Sequence, residues 1–237
     1  MKLLIPLLEQ NRDEIAQLYV KEQGKTLAEA YGEIDKSIAF IDYMTSLSMS
    51  NKGEVLQNSV ENEIIQITKK PIGVTAGIVP WNAPIMVLMR KVIPAVVTGC
   101  SVVIKPSEET TLLTLKLAEL FRASTIPAGL IQIVPGTGET VGTQLATHKD
   151  IQLISLTGSM RAGKSVYEHA AQTVKKVNLE LGGNAPVIVT PHADIDKAVD
   201  YIVAARINNA GQVCTCPDRI FVHDDVQDDF IEKVSNT

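Results

Sequence analysis

Cysteine, histidine and positive charge are all scarce in this 237-residue chain. Its 22 Lys and Arg are outnumbered by 27 Asp and Glu, for a net charge of −5 with no basic run. That balance argues against a nucleic-acid partner. No apolar stretch is long enough to span a bilayer, so no membrane partner is expected. The longest beyond the opening, residues 85–98, is cut by Arg90 and Lys91. The opening MKLLIPLLEQ has the outline of a signal peptide, but its apolar run is short, broken by Pro6 and followed by acidic, helix-forming sequence. Three cysteines, an odd number, argue against a disulfide framework and suit reduced thiols in the cytoplasm. Repeats, low-complexity tracts and flexible linkers are absent. What remains is ordinary globular composition, 45% apolar and 21% charged, enough for one large domain or one and a half average ones.

Residues 7–50 carry apolar side chains at three- and four-residue spacing on charged ground, which predicts helices, with Gly24 dividing them in two. GEVLQNSVENEIIQITKKP reads as a hairpin around a polar NSVEN turn. From Pro71 on, short apolar strands alternate with helices. The strands are GVTAGIVP, SVVIKP, GLIQIVPG, IQLISLTGS and KKVNLELGG, and the helices start at Pro84, after SEETT, near Glu139 and near Arg161. This alternation predicts an α/β fold with a doubly wound parallel sheet, a Rossmann-like cofactor domain. A second α/β unit follows, with strands APVIV and RIFVH and their helices. The expected divisions are 1–52 (helices belonging to the cofactor domain), 53–70 (hairpin), 71–182 (nucleotide-binding α/β domain) and 183–237 (start of a catalytic domain).

Ligands of such sheets sit beyond the carboxyl ends of the strands. Here those ends read PWN, KPSE, PGTG, TGS and ELGG. VPGTGETVG places Gly136, Gly138 and Gly142 as GxGxxxG, one residue longer than the usual dinucleotide fingerprint; a backbone-only turn is the competing reading. Gly158 and Ser159 stand where a helix N-terminus would favour a phosphate, unless Ser159 only caps that helix. Lys105 and Glu108 offer a cation and a carboxylate able to accept from ribose hydroxyls; alone, each fits a solvated loop equally well. Glu180 falls among apolar neighbours at a strand end, where desolvation would make it a better proton acceptor. Its alternative is a buried Glu held by backbone amides. Asn82, before Pro84, could donate to an oxyanion or simply occupy a turn. Cys214 and Cys216, in NNAGQVCTCPDR, have only the distant His223 as a further ligand, too few for a metal. A disulfide between them would be strained. Cys100 suits a packed core, whereas Cys214, after a helix and a Gly-Gln turn, could be an exposed, activated thiol.

PWNAP, KPSE, VPGTGETVG, LTGS, LELGGNAP and NAGQVCTC occur in the order and approximate spacing of the NAD-dependent aldehyde dehydrogenase superfamily, which the whole chain resembles. GQVCTCPDR and GETVG resemble most the bacterial lactaldehyde/glycolaldehyde type. The resemblance implies that Cys214 is the nucleophile and Cys216 a bystander, with Glu180 the general base and Asn82 the oxyanion donor. It implies contact with NAD by Trp81, Lys105, Ser107, Glu108, Gly138, Gly142, Gly158 and Ser159, with no metal. It also implies a small polar aldehyde substrate, which Arg90 would contact, two helical turns past Asn82 on one helix face. The hairpin resembles part of an oligomerisation element, so an intact homologue is expected to be a homo-oligomer. The family's ExFGP motif is absent, and a fragment is expected that binds nucleotide but turns over feebly. The alternatives are a nucleotide-binding fragment without turnover and a non-catalytic interaction protein.

Overall fold

A computed structural model of the chain describes every residue except Glu61. The chain divides into two units, Met1–Glu180 and Leu181–Thr237.

In the first unit, the β-branched runs of the sequence become β3 (Val74–Ile78), β4 (Ser101–Lys105), β5 (Ile131–Ile133), β6 (Ile151–Gly158) and β7 (Lys176–Leu181), in the order β5-β4-β3-β6-β7. The β3–β4, β4–β5 and β3–β6 pairs are parallel. The chain therefore steps outward from β3 to β5 and then resumes on the other side of β3. This reversal makes a switch point at the carboxyl ends of β3 and β6, the position where such sheets take ligands.

The helices α4 (Pro84–Val97), α5 (Thr111–Ala123), α6 (Thr143–Thr147) and α7 (Met160–Ala171) follow β3, β4, β5 and β6 in turn. α4 starts on Pro84, whose missing N–H is no loss in a first turn. It buries Leu88, Met89, Val92 and Ile93 against Val102 and Ile104 of β4. Each such fully buried side chain contributes about 1.5–3 kcal/mol. The helix expected near Glu139 is a wider π-helical turn over Gly138–Gly142, which passes into α6 only at Thr143.

The N-terminal helices complete the same core. α1 (Leu4–Gln10), α2 (Arg12–Gln23) and α3 (Leu27–Leu47) bury Leu4, Leu8, Ile15, Tyr19, Ile34 and Ile41 there. Gly24 ends α2 in a left-handed conformation (φ 85°), and Thr26 with Glu29 forms a capping box for α3. The sequence reading missed the extra break at Asn11, whose amide donates to the Leu7 carbonyl at 2.8 Å. The opening decapeptide contributes core residues of α1 rather than standing apart.

β1 (Glu54–Gln57) and β2 (Ile64–Ile67) pair antiparallel, Glu54 with Ile67 and Gln57 with Ile64. Glu61, in the expected NSVEN turn, lies outside the described residues. Every residue of both strands is exposed, including Val55, Leu56, Ile64, Ile65 and Ile67.

In the second unit, β8 (Ala185–Val189) and β9 (Pro217–Val222) pair in parallel, with α8 (Ile195–Ile207) and α9 (Gln227–Ser235). Val189, Ile195, Val199, Ile202 and Phe230 form its small core. Ile188, Ile220 and Phe221 are exposed.

Candidate active site

Trp81 and Asn82 follow β3, Gly158 ends β6 and Ser159 follows it, so these four positions flank the switch point. Asn82 is half-buried and Trp81 exposed. The Val79 amide donates to the Lys105 carbonyl at 3.1 Å, which aligns the loop after β3 with the end of β4.

Lys105 is 2% exposed. Its ammonium donates to the Pro106 carbonyl at 2.8 Å and to Glu108 Oε2 at 3.1 Å. The other carboxylate oxygen, Oε1, accepts from the Gly138 amide at 2.9 Å. Glu108 thus ties the KPSE loop to the glycine turn. Burial pushes its pKa up, but bonds from its own amide, Lys105 and Gly138 outweigh that, so the carboxyl lies below the ordinary Glu range. Ser107 accepts from the Glu109 amide at 3.3 Å, capping the short turn that precedes α5.

Two glycines of the turn differ in what they do. Gly136 has φ 148°, and a Cβ there would lie 2.4 Å from Val141 Cγ2, so backbone and packing both require glycine. Gly138 has φ outside that region and nothing within 4 Å of its Cβ position. Its bareness leaves the backbone open to close approach from outside. Gly142 is buried, with Ile78 at ordinary contact distance. Ser159 accepts from the Ala162 amide at 3.2 Å, so its oxygen does cap α7; its hydroxyl proton can still be donated.

Two expectations need correction. Glu180 is exposed, not desolvated: β7 is an edge strand with alternating burial, and Glu180 falls on its open face. Arg90 is exposed on α4, but Asn82 lies before that helix begins, so counting helical turns from Asn82 does not put the two on one face.

Lys91, beside Arg90, turns inward. Its ammonium donates to Ser155 Oγ of β6 at 2.9 Å. A Cβ on Gly77 would come within 3.0 Å of the Lys91 stem, so glycine in β3 makes the room. Burial lowers the Lys91 pKa to about 8, partly offset by the charge of Glu180. A lysine near 8 can exchange protons at working pH. The unfolded lysine titrates near 10.5. Between these values the unfolded chain binds more protons, so stability should rise with pH from about 8 to 10.5, the burial penalty being fully present below 8. Urea midpoints at several pH values should show this rise, and Lys91→Met should flatten it. An equal slope in both proteins would contradict an inward, titrating Lys91.

In the second unit, α8 is followed by Asn209, Ala210 and Gly211 with φ 50°, 54° and 78°, three successive left-handed residues. Reciprocal bonds of 3.2 Å, Asn209 Nδ2 to the Gln212 carbonyl and Gln212 Nε2 to the Asn209 carbonyl, hold the turn. It delivers Cys214 exposed and Cys216 buried. The Cys216 thiol faces the Ala205 carbonyl at 3.4 Å. Cys100 is buried as well. Among the described residues, no group of three or more His, Cys, Asp or Glu could hold a metal.

The model of the aldehyde dehydrogenase family matches residues 1–237. The chain belongs to the aldehyde dehydrogenase family. It is 41% identical over 228 residues to the NADP(+) succinate-semialdehyde dehydrogenase GabD of Escherichia coli (strain K12), covering 96% of this chain and 47% of GabD. Lactaldehyde dehydrogenase of the same strain is 39% identical over 227 residues, with 96% and 47% covered. A crystal structure of lactaldehyde dehydrogenase from Escherichia coli superposes with a TM-score of 0.97 at 38% identity, covering 99% of this chain and 49% of that one. The chain therefore spans about half the length of these aldehyde dehydrogenases, and the fold with its parallel central sheet is theirs. Their names carry different aldehydes, and one carries NADP(+).

Proposed function

We propose that the chain carries the cofactor-binding and nucleophile-bearing part of an aldehyde dehydrogenase that oxidises a small polar aldehyde to its acid with NAD. The observation that carries this reading is the contrast between two thiols one residue apart, Cys214 exposed and Cys216 packed, in a member of this family. The Cys214 thiolate adds to the aldehyde carbon. The Asn82 side-chain amide and the Cys214 N–H stabilise the oxyanion of the resulting thiohemiacetal. Bound NAD supplies the hydride acceptor that makes a thioester possible. Glu180 takes a proton from water, which attacks the thioester carbon; the acid departs and the thiolate is restored.

The residues fit a dinucleotide. Gly138 leaves an open approach, and Glu108, half-exposed beside it, has its carboxylate held for ribose hydroxyls. Trp81, Lys105, Ser107, Gly142, Gly158 and Ser159 complete that proposed site, in a cofactor domain of residues 71–182 joined by the helices of 1–52. Residues 183–237 begin the catalytic domain. A 2′-phosphate near Glu108 would meet like charge. NAD should therefore bind more tightly than NADP in parallel calorimetric titrations, and Glu108→Ser should narrow the gap. Tighter NADP binding by the unmodified protein would remove Glu108 from this role.

The small polar substrate rests on the likeness to lactaldehyde dehydrogenase, with Arg90, exposed on α4, as the side chain that would donate to a substrate hydroxyl. Arg90→Trp should then impair lactaldehyde oxidation more than propanal oxidation; an equal loss would exclude Arg90. The exposed hairpin of residues 53–70 suits a homo-oligomeric contact, since a lone two-stranded hairpin is marginal in water; a monomer in sedimentation velocity would contradict it. Three unpaired thiols suit the cytoplasm, and cell fractionation checks that assignment.

A further inference from the structure

A buried charged network between α2, α3 and the start of α4 is unused by the chemistry above. Lys25, 7% exposed, donates to Glu33 Oε2 at 2.6 Å and to Tyr19 Oη at 3.0 Å. The Tyr19 hydroxyl donates to the same Oε2 at 2.7 Å. Glu33 Oε1 accepts from the Met86 amide at 3.1 Å, in the first turn of α4. That turn has no side-chain cap from its own N-cap residue, Ala83. Tyr19 Oη also lies 3.5 Å from the carbonyl oxygen of Asn82. A second carboxylate acts alike one loop away: Glu22 of α2 accepts from the Leu112 and Leu113 amides at 2.6 and 2.7 Å, capping α5 beyond the KPSE loop.

Stability alone does not call for such a network, because apolar residues of similar size often replace a buried ion pair without loss. Its reach is more telling: one carboxylate grips α4 at Met86, four residues after Asn82, and the phenol paired with it sits at the backbone carbonyl of Asn82. We propose that Tyr19, Lys25 and Glu33 are positioning residues that hold the Asn82 loop, and with it the side-chain amide, in the orientation that meets an oxyanion. The proposal deepens the reading of Asn82 as oxyanion donor and rests on it.

The test compares two reactions of Cys214 in the protein. In the first, the thiolate attacks the carbonyl carbon of p-nitrophenyl acetate. A tetrahedral oxyanion forms and collapses, the C–O bond to p-nitrophenolate breaks, and an acetyl thioester remains. In the second, iodoacetamide alkylates the thiolate by displacing iodide, with no oxyanion. Lys25→Met/Glu33→Leu removes both charges together and should leave the urea midpoint near its original value. Acylation should slow on the order of ten- to a hundredfold, as expected when a donor shifts by about 1 Å, while alkylation stays unchanged. Lys25→Met/Glu33→Gln, which keeps an acceptor for the Met86 amide, should restore most of the rate. Tyr19→Phe, which keeps the ion pair, is the arm that remains if the double variant fails to fold, and it should slow acylation selectively. Asn82→Ala separates the two claims. If it slows acylation but the network variants do not, the positioning role is overturned and the oxyanion reading stands. If Asn82→Ala has no effect, the oxyanion reading fails and the positioning role fails with it.

Discussion

Cys214→Ala should reduce aldehyde oxidation on the order of 10⁴-fold or more, the scale on which removing a covalent nucleophile acts. Cys216→Ala should leave the chemical step nearly intact. Its thiol is packed beside the Ala205 carbonyl and away from solvent, so its loss should appear as a drop in stability of about 1 kcal/mol. The pair separates reactivity from packing within a single turn. Pre-steady-state NADH formation together with urea denaturation reads both quantities. Comparable loss of turnover in the two variants would mean that the turn as a whole, not the Cys214 thiol, is what the reaction needs.

Gly136→Ala should weaken NAD binding about ten- to a hundredfold. At φ 148° an alanine is strained by about 1–3 kcal/mol, and its methyl would collide with Val141 Cγ2 at 2.4 Å. The strain is relieved only by moving the turn, which takes the Gly138 amide away from Glu108 Oε1. A tenfold change corresponds to about 1.4 kcal/mol, so the strain and the expected loss agree. Gly138→Ala is the informative contrast. Its methyl enters open space, so the fold should be untouched and only the approach of the nucleotide hindered. Normal NAD affinity in both variants, measured by calorimetry, would remove this turn from the cofactor site.

The alternation of short apolar strands and amphipathic helices was readable because each strand end carries its own punctuation, such as Pro84 at the start of α4 and Thr111, the last residue of the SEETT run, at the start of α5. Loop chemistry at those ends was readable for the same reason. What escaped depends on long-range placement. Arg90 and Lys91 read as two charges interrupting an apolar stretch, and only Gly77, on a different element, explains why Lys91 turns inward. Glu180 looked buried because its strand neighbours are apolar, but the edge position of β7 is a property of strand order, not of local sequence. Glu33, Lys25 and Glu22 look like ordinary charges on helix surfaces. Their roles appear only when α2 and α3 meet the N-termini of α4 and α5, 53 and 90 residues away for Glu33 and Glu22 respectively.

The central claim, that Cys214 is a covalent nucleophile of aldehyde dehydrogenase chemistry, is tested most directly by locating the acyl group. The protein is mixed with limiting p-nitrophenyl acetate, quenched in acid within the first turnover and mapped by peptide mass spectrometry. An acetyl thioester on Cys214, with Cys100 and Cys216 unmodified, is the expected result. Acetylation confined to Cys100 or Cys216, or to lysines with no thioester on Cys214, would contradict it.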